Sequence, residues 1–288
     1  MKIYFFLGKG GVGKSTLSAL TALYVAKKSK QVLLTSLDPA HNLADIFNMD
    51  FSDKATPVLN NFNIIETDHE KWIKTYLKKT EQLLTASYSY LTTFSMEKHF
   101  GVMQYAPALE EYALHQAFLS IVGNNNNLDV LIFDMPPTAL ALKFFALPQL
   151  SLLWLDNLVN LRNEILKKQE VITKLSLGAK TFERDRVIQN LKRQQEYWSS
   201  IDHLLKNDTL TQCIVVENPD DLSQKESKRI IKKMLELGMS KPVKALNKST
   251  EKVVKGYLLT VDEQLNISGL NNLEKAVNNI DFSKLLKI

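Results

Sequence analysis

Apolar residues follow two alternating rhythms along this chain. Short runs that are apolar throughout, or nearly so, recur at Ile3–Leu7, Gln31–Leu37, Phe62–Glu66, Asp129–Asp134, Gln212–Glu217, Val243–Asn247 and roughly Gly256–Thr260. A strand covered on both faces has no polar side, so these runs predict parallel strands sandwiched between helices. Between them apolar positions recur every three to four residues. Leu17, Leu20, Leu23 and Tyr24, for example, share one side of a helix directly after the first strand. Strands alternating with helices predict an α/β fold with a doubly wound, mostly parallel sheet.

Two intervals break this rhythm. Residues 68–122 are helical in pattern, with Trp72, Tyr76, Leu77, Leu83, Leu84, Tyr88 and Leu91 at helix spacing. Residues 149–206 are helical as well. There Leu150, Leu153, Trp154, Leu158, Leu161 and Ile165 make one apolar stripe, and Leu152, Leu155 and Val159 make a second. A helix apolar on two sides is buried between layers or offers a surface to something else. Ile188, Leu191, Gln195, Trp198, Asp202 and Leu205 repeat the three-four spacing and predict a packed helical hairpin. We read residues 1–288 as a single domain whose helical subdomain comes from about 68–122 and 149–206. The other reading has these intervals as long helices that cover the sheet. Asn124–Asn127 reads as a surface loop.

Composition adds limits. There are 36 Lys and Arg against 31 Asp and Glu, a net charge of +5. This is a lysine-rich solvated surface, or a mild preference for an acidic partner or membrane. Cys213 is the sole cysteine, so no disulfide within the chain and no Cys-x-x-Cys metal site can form. That fits a reducing cytoplasm. The first apolar run is too short for a secretory signal, and no stretch reaches the roughly 18 uninterrupted apolar residues of a membrane span.

The chemistry enters at residues 8–16, Gly-Lys-Gly-Gly-Val-Gly-Lys-Ser-Thr. They satisfy G-x-x-x-x-G-K-[ST] and lie between a predicted strand and a predicted helix, the context of a phosphate-binding P-loop. Gly8, Gly10, Gly11, Val12 and Gly13 let backbone N–H groups close on an anion at a helix N-terminus. Lys14 is expected to reach the β- and γ-phosphates of ATP, Ser15 to ligate Mg²⁺, and Thr16 to complete the loop.

Four features narrow the reading, and each carries a resemblance. Lys9, right after the first glycine, resembles the signature lysine of deviant P-loop ATPases, the class of ParA/MinD proteins and the nitrogenase iron protein. There it reaches a partner subunit's nucleotide; otherwise it is a loop lysine facing solvent. Asp38-Pro39-Ala40-His41-Asn42-Leu43-Ala44-Asp45-Ile46-Phe47 resembles switch I of the arsenical pump-driving ATPases and of the ATPases that target tail-anchored membrane proteins. The resemblance implies that Asp45 activates the attacking water and that Asp38 lies near Mg²⁺. His41 is a switch residue or an ordinary loop histidine. Asp134-Met135-Pro136-Pro137-Thr138 resembles the family's switch II, which implies a magnesium role for Asp134, but Ala139, Leu140 and Ala141 replace its glycine, histidine and threonine. Asn247 stands where the family pairs an asparagine with adenine; it is also a residue type that ends strands. Pro107-Ala108-Leu109-Glu110-Glu111 and Leu222-Ser223 with Glu226 are looser matches.

The resemblance implies a Mg²⁺-dependent P-loop ATPase working as a homodimer that sandwiches two nucleotides. Its helical subdomain would serve a membrane pump or a hydrophobic client. Arsenite activation is not expected, since soft As(III) needs several thiolates and Cys213 is alone. A zinc clasp is excluded on the same count, and no nucleic-acid partner is expected. The alternatives are a ParA/MinD-like ATPase that positions a membrane- or DNA-bound partner, and a factor for metal-cluster or cofactor maturation.

Overall fold

A computed structural model describes residues 1–40, 42–87, 109–177, 185–251, 254–263, 265, 267–282 and 284. His41, Tyr88, Leu91, Pro107 and Ala108 lie outside the described residues.

The described residues form an eight-stranded sheet. In chain order the strands are β1 (Lys2–Leu7), β2 (Val32–Ser36), β3 (Thr56–Leu59), β4 (Phe62–Glu66), β5 (Val130–Asp134), β6 (Thr211–Glu217), β7 (Val243–Ser249) and β8 (Leu259–Asp262). Their order across the sheet is β3-β4-β2-β5-β1-β6-β7-β8. Every neighbouring pair is parallel except β3 with β4. The helices are α1 (Lys14–Lys27), α2 (Asn42–Phe47), α3 (His69–Ser87), α4 (Leu109–Asn124), α5 (Thr138–Leu177), α6 (Arg186–Lys206), α7 (Asp221–Glu236) and α8 (Leu270–Asn278). The expected doubly wound α/β fold is what the chain adopts.

Helices cover both faces, which is why the strands carry no polar alternation. Successive side chains of β1 point to opposite faces. Tyr4 and Phe6 join Leu17, Leu20 and Leu23 of α1 in one core. Phe5 stacks on Phe133 at 5.2 Å and meets Phe118 of α4 and Phe144 of α5 on the other side. Helix α1 departs from its one-sided pattern: Ser18 and Thr21 are as buried as its leucines. These small polar side chains are tolerated there, and the Ser18 hydroxyl donates to the Ser15 carbonyl at 2.9 Å.

Two strand expectations need correction. β3 was not expected, because Thr56-Pro57-Val58-Leu59 is short and holds a proline. Proline is acceptable there because β3 is an antiparallel edge strand, where a missing N–H can face away from the ladder. The last strand starts later than Gly256: Gly256 has φ 93° in a turn, and pairing begins at Leu259.

The chain divides into two compact units. Residues 1–144 with 208–288 make the sheet unit, which includes α3 and α4, and residues 145–207 make the second. Within the second unit α5 and α6 form a hairpin. Asp185 caps α6 by accepting from the Val187 and Ile188 N–H groups, and its other oxygen accepts from Arg162 at 2.9 Å. Gln195 of α6 donates to Asp156 of α5 at 2.5 Å. Leu155, Trp198, Ile201 and Leu205 are buried, whereas Leu150, Leu153, Trp154 and Leu161 are exposed. By length and composition alone, Thr138–Lys168 of α5 is apolar enough to cross a membrane. Its Ala141 and Phe144 are buried like the residues of a core helix.

Candidate nucleotide site

Register brings the site together. Phe6 of β1 lies opposite Asp134 of β5, and Asp134 lies opposite Ser36 of β2. The segments that leave these three strands at their carboxyl ends therefore emerge side by side, where open α/β sheets bind ligands. Backbone bonds lock the edge: the Leu37 N–H donates to the Asp134 carbonyl at 2.8 Å, and the Met135 N–H to Phe6 at 3.2 Å.

The loop from Gly8 to Gly13 follows β1. A Cβ on Gly8 would stand 2.5 Å from the Val216 carbonyl of β6, so only glycine fits where the loop leaves the sheet. Gly13 has φ 92°, and its Cβ would stand 2.2 Å from the Asn247 amide nitrogen. Gly10 and Gly11 have open space around them. Lys14, Ser15 and Thr16 are buried in the first turn of α1, while Lys9 is exposed on the loop.

Asp134 is the electrostatic centre. Both carboxylate oxygens are buried and lack a hydrogen-bond partner of normal geometry. Burial pushes its pKa up to about 7; the Ser15 hydroxyl and Lys14 ammonium pull it down, while the charges of Asp38 and Glu66 push it further up. An unpaired buried carboxylate beside a lysine and a serine is costly unless a cation completes it. Asp38, also buried, has one oxygen occupied by the Ala40 N–H at 3.1 Å. Among the described residues no three acidic, histidine or cysteine side chains form a metal cage by themselves. A hydroxyl with one or two carboxylates suits Mg²⁺, which fills its remaining positions with water and phosphate oxygens. Ser15, Asp38 and Asp134 therefore fit magnesium.

The remaining candidates are arranged around this group. Asp45 is exposed on α2 and does not belong to the buried cluster. Asn247 is buried, and its side-chain nitrogen donates to the Val12 carbonyl at 2.9 Å. Ala139, Leu140 and Ala141 lie in the first turn of α5, where the Pro137 carbonyl accepts the N–H groups of Leu140 and Ala141. Helix-forming residues thus continue α5 right up to the Asp134 segment.

One participant was not singled out in the sequence. Glu66, at the end of β4, is buried and accepts the backbone N–H groups of Leu43 and Ala44 through one oxygen, at 2.9 and 3.2 Å. The available signal was a carboxylate closing an otherwise mostly apolar strand on the edge where the loops gather.

Residues 1–257 match the profile of a family described as anion-transporting ATPase. The chain belongs to that anion-transporting ATPase family. The family's description names ATPases, in keeping with the glycine loop that follows β1. The chain is similar to a putative arsenical pump-driving ATPase 2 of Aquifex aeolicus, 27% identical over 86% of this chain and 80% of that protein. It is also similar to the same organism's putative arsenical pump-driving ATPase 1, 28% identical over 86% of this chain and 63% of that one. An ATPase ASNA1 homolog of Plasmodium chabaudi chabaudi is 31% identical over 82% of this chain and 59% of the relative. The family member described here thus spans less than two thirds of the latter two relatives.

Proposed function

We propose that this family member is a Mg²⁺-dependent ATPase acting as a nucleotide-sandwich homodimer in the cytoplasm, and that hydrolysis rearranges its helical region to serve a hydrophobic client or membrane pump. The observation that carries the ATPase centre is the buried Asp134 carboxylate beside Lys14 and Ser15, both of its oxygens without a hydrogen bond of normal geometry.

Lys14 pairs with the β- and γ-phosphates, and the open backbone at Gly10 and Gly11 lets the loop approach them. Ser15, Asp38 and Asp134 would hold a magnesium ion. When bound, the ion neutralises charge that builds on the transferring phosphoryl group. Asp45 orients the attacking water and accepts its proton, a role for a residue on a segment that responds to the γ-phosphate. The exposure of Lys9 supports a role in the partner subunit's site, where a cation stabilises the transition state as an arginine finger does. One N–H of the Asn247 amide is used on Val12, and its amide oxygen is the atom that would accept from the adenine amino group.

The names of the two Aquifex aeolicus relatives mention arsenicals. Cys213 is buried, and burial pushes its thiol far above the usual range, so it offers no thiolate to a metalloid. The exposed stripe of Leu150, Leu153, Trp154 and Leu161 supports an apolar client instead.

Magnesium-dependent ATP turnover tests the engine. Lys14→Ala is expected to abolish tight nucleotide binding. Asp45→Asn should bind ATP normally and hydrolyse it about 10²–10⁴-fold more slowly. Normal turnover by the Asp45 variant would remove Asp45 from the mechanism.

A further inference from the structure

Helix α2, which carries Asp45, is only six residues long (Asn42–Phe47) and too short to hold itself together in isolation. Its two ends are fixed by other parts of the sheet unit. At the start, the N–H groups of Leu43 and Ala44 donate to one oxygen of Glu66. Toward the end, the Ile46 carbonyl accepts from the Gly269 N–H at 2.8 Å, just before α8. Between these two anchor points sits Asp45, with its side chain exposed. Leu43 and Phe47, on either side of it, are buried in the core.

Glu66 is one of five buried carboxylates among the described residues. It is 3% exposed, and its charge adds to the field that burdens Asp134. Burying a carboxylate beside another negative charge costs free energy, and two backbone N–H donors at a helix start offset part of that cost. The strand beneath it is a rigid base: β4 pairs with β2 through Glu66 opposite Ser36. The neighbouring Thr67 hydroxyl donates to the Ser36 carbonyl at 2.8 Å.

We infer that Glu66 is a positioning residue for ATP hydrolysis: by holding the Leu43 and Ala44 N–H groups it sets the start of α2, and so the place from which Asp45 acts. The inference rests on the Asp45 reading given above. It needs reach more than charge, because an uncharged amide oxygen at the same distance would accept the same two bonds.

The two conservative substitutions separate reach from charge. Glu66→Gln keeps the acceptor where it is and removes the charge. Glu66→Asp keeps the charge and withdraws the oxygen by one methylene. ATP turnover, equilibrium ATP affinity and amide exchange at Leu43 and Ala44 are measured for both, with Asp45→Asn alongside. Glu66→Gln should keep turnover within about threefold and protect both amides. Glu66→Asp should slow turnover about tenfold or more, keep ATP affinity within about twofold, and speed exchange at both amides, since displacing a reacting group by about 1 Å can cost about 10²-fold. Wild-type turnover in Glu66→Asp would overturn the inference. So would a parallel fall of affinity and turnover, or equal impairment of Glu66→Gln. A normal rate in Asp45→Asn defeats the Asp45 reading by itself, because slow turnover with fast exchange in Glu66→Asp would still mark Glu66 as the clamp.

Discussion

The side-chain amide of Asn247 donates a 2.9 Å hydrogen bond to the carbonyl of Val12, inside the phosphate loop. Asn247 belongs to β7 and Val12 follows β1, so the bond ties the loop to a strand two places away in the sheet. Gly13 makes room for it, since any Cβ there would collide with the same amide. The loop is thus braced from outside itself.

Removing the brace should weaken phosphate binding whatever base is attached. Asn247→Ala is expected to lower affinity for both ATP and tripolyphosphate by roughly tenfold, the cost of one buried hydrogen bond whose acceptor is left unpaired. Competition binding checks this. A loss confined to ATP would mean that Asn247 acts on adenine alone.

Neighbouring glycines should respond in opposite ways. Gly8→Ala forces a Cβ against the Val216 carbonyl and should destabilise the fold by about 1–3 kcal/mol, seen as a lower Tm. Gly10→Ala meets no atom within 4 Å, so its Tm should stay within experimental error while ATP affinity falls. Calorimetry with a binding titration separates the two effects.

Much of this was legible in the sequence, for physical reasons. Strands β1 and β5 are nearly uniformly apolar because helices cover both faces, so their pattern could be read without knowing the partners. The loop was legible because its lysine and serine have no packing reason to follow a run of glycines. Edge strand β3 was not legible, since four residues with a proline carry no periodicity. The roles of Glu66 and Asn247 were hidden because their partners are backbone atoms 22 or more positions away, and backbone atoms leave no trace in residue type. The paired stripes of residues 150–165 signalled two apolar sides of a helix without saying which side is covered. Leu155 is buried while Trp154 is not.

His115 makes the fold acid-sensitive. Its Nε2 donates to the Phe144 carbonyl at 2.7 Å, and its ring stacks on Phe144 at 4.1 Å. Burial pulls its pKa down to about 4, partly offset by that hydrogen bond. The unfolded chain takes up a proton near the usual 6.5 while the folded protein resists, so the stability contribution is complete above about pH 6.5 and is lost as pH falls toward 4. The loss is on the order of 3 kcal/mol at the lower end. His115→Gln should flatten this part of the Tm-against-pH curve; an unchanged curve would assign the acid sensitivity to other groups.

The exposed stripe should be dispensable for folding. Leu153 and Trp154 are 63% and 66% exposed, so Leu153→Asp and Trp154→Asp should change stability by no more than about 0.5 kcal/mol. Binding of an apolar peptide, followed by Trp154 fluorescence in the wild type and by co-purification in the variants, should fall with either change. Unaltered binding would assign the client to another surface.

We propose a two-subunit active site in which Lys9 acts on the partner's nucleotide and Asp45 on its own. Mixing Lys9→Ala with Asp45→Asn tests it most directly, because a mixed dimer contains one site with both residues intact. Each variant alone should be nearly inactive, and the mixture should recover ATP turnover well above either. Turnover equal to the average of the two variants would contradict the proposal.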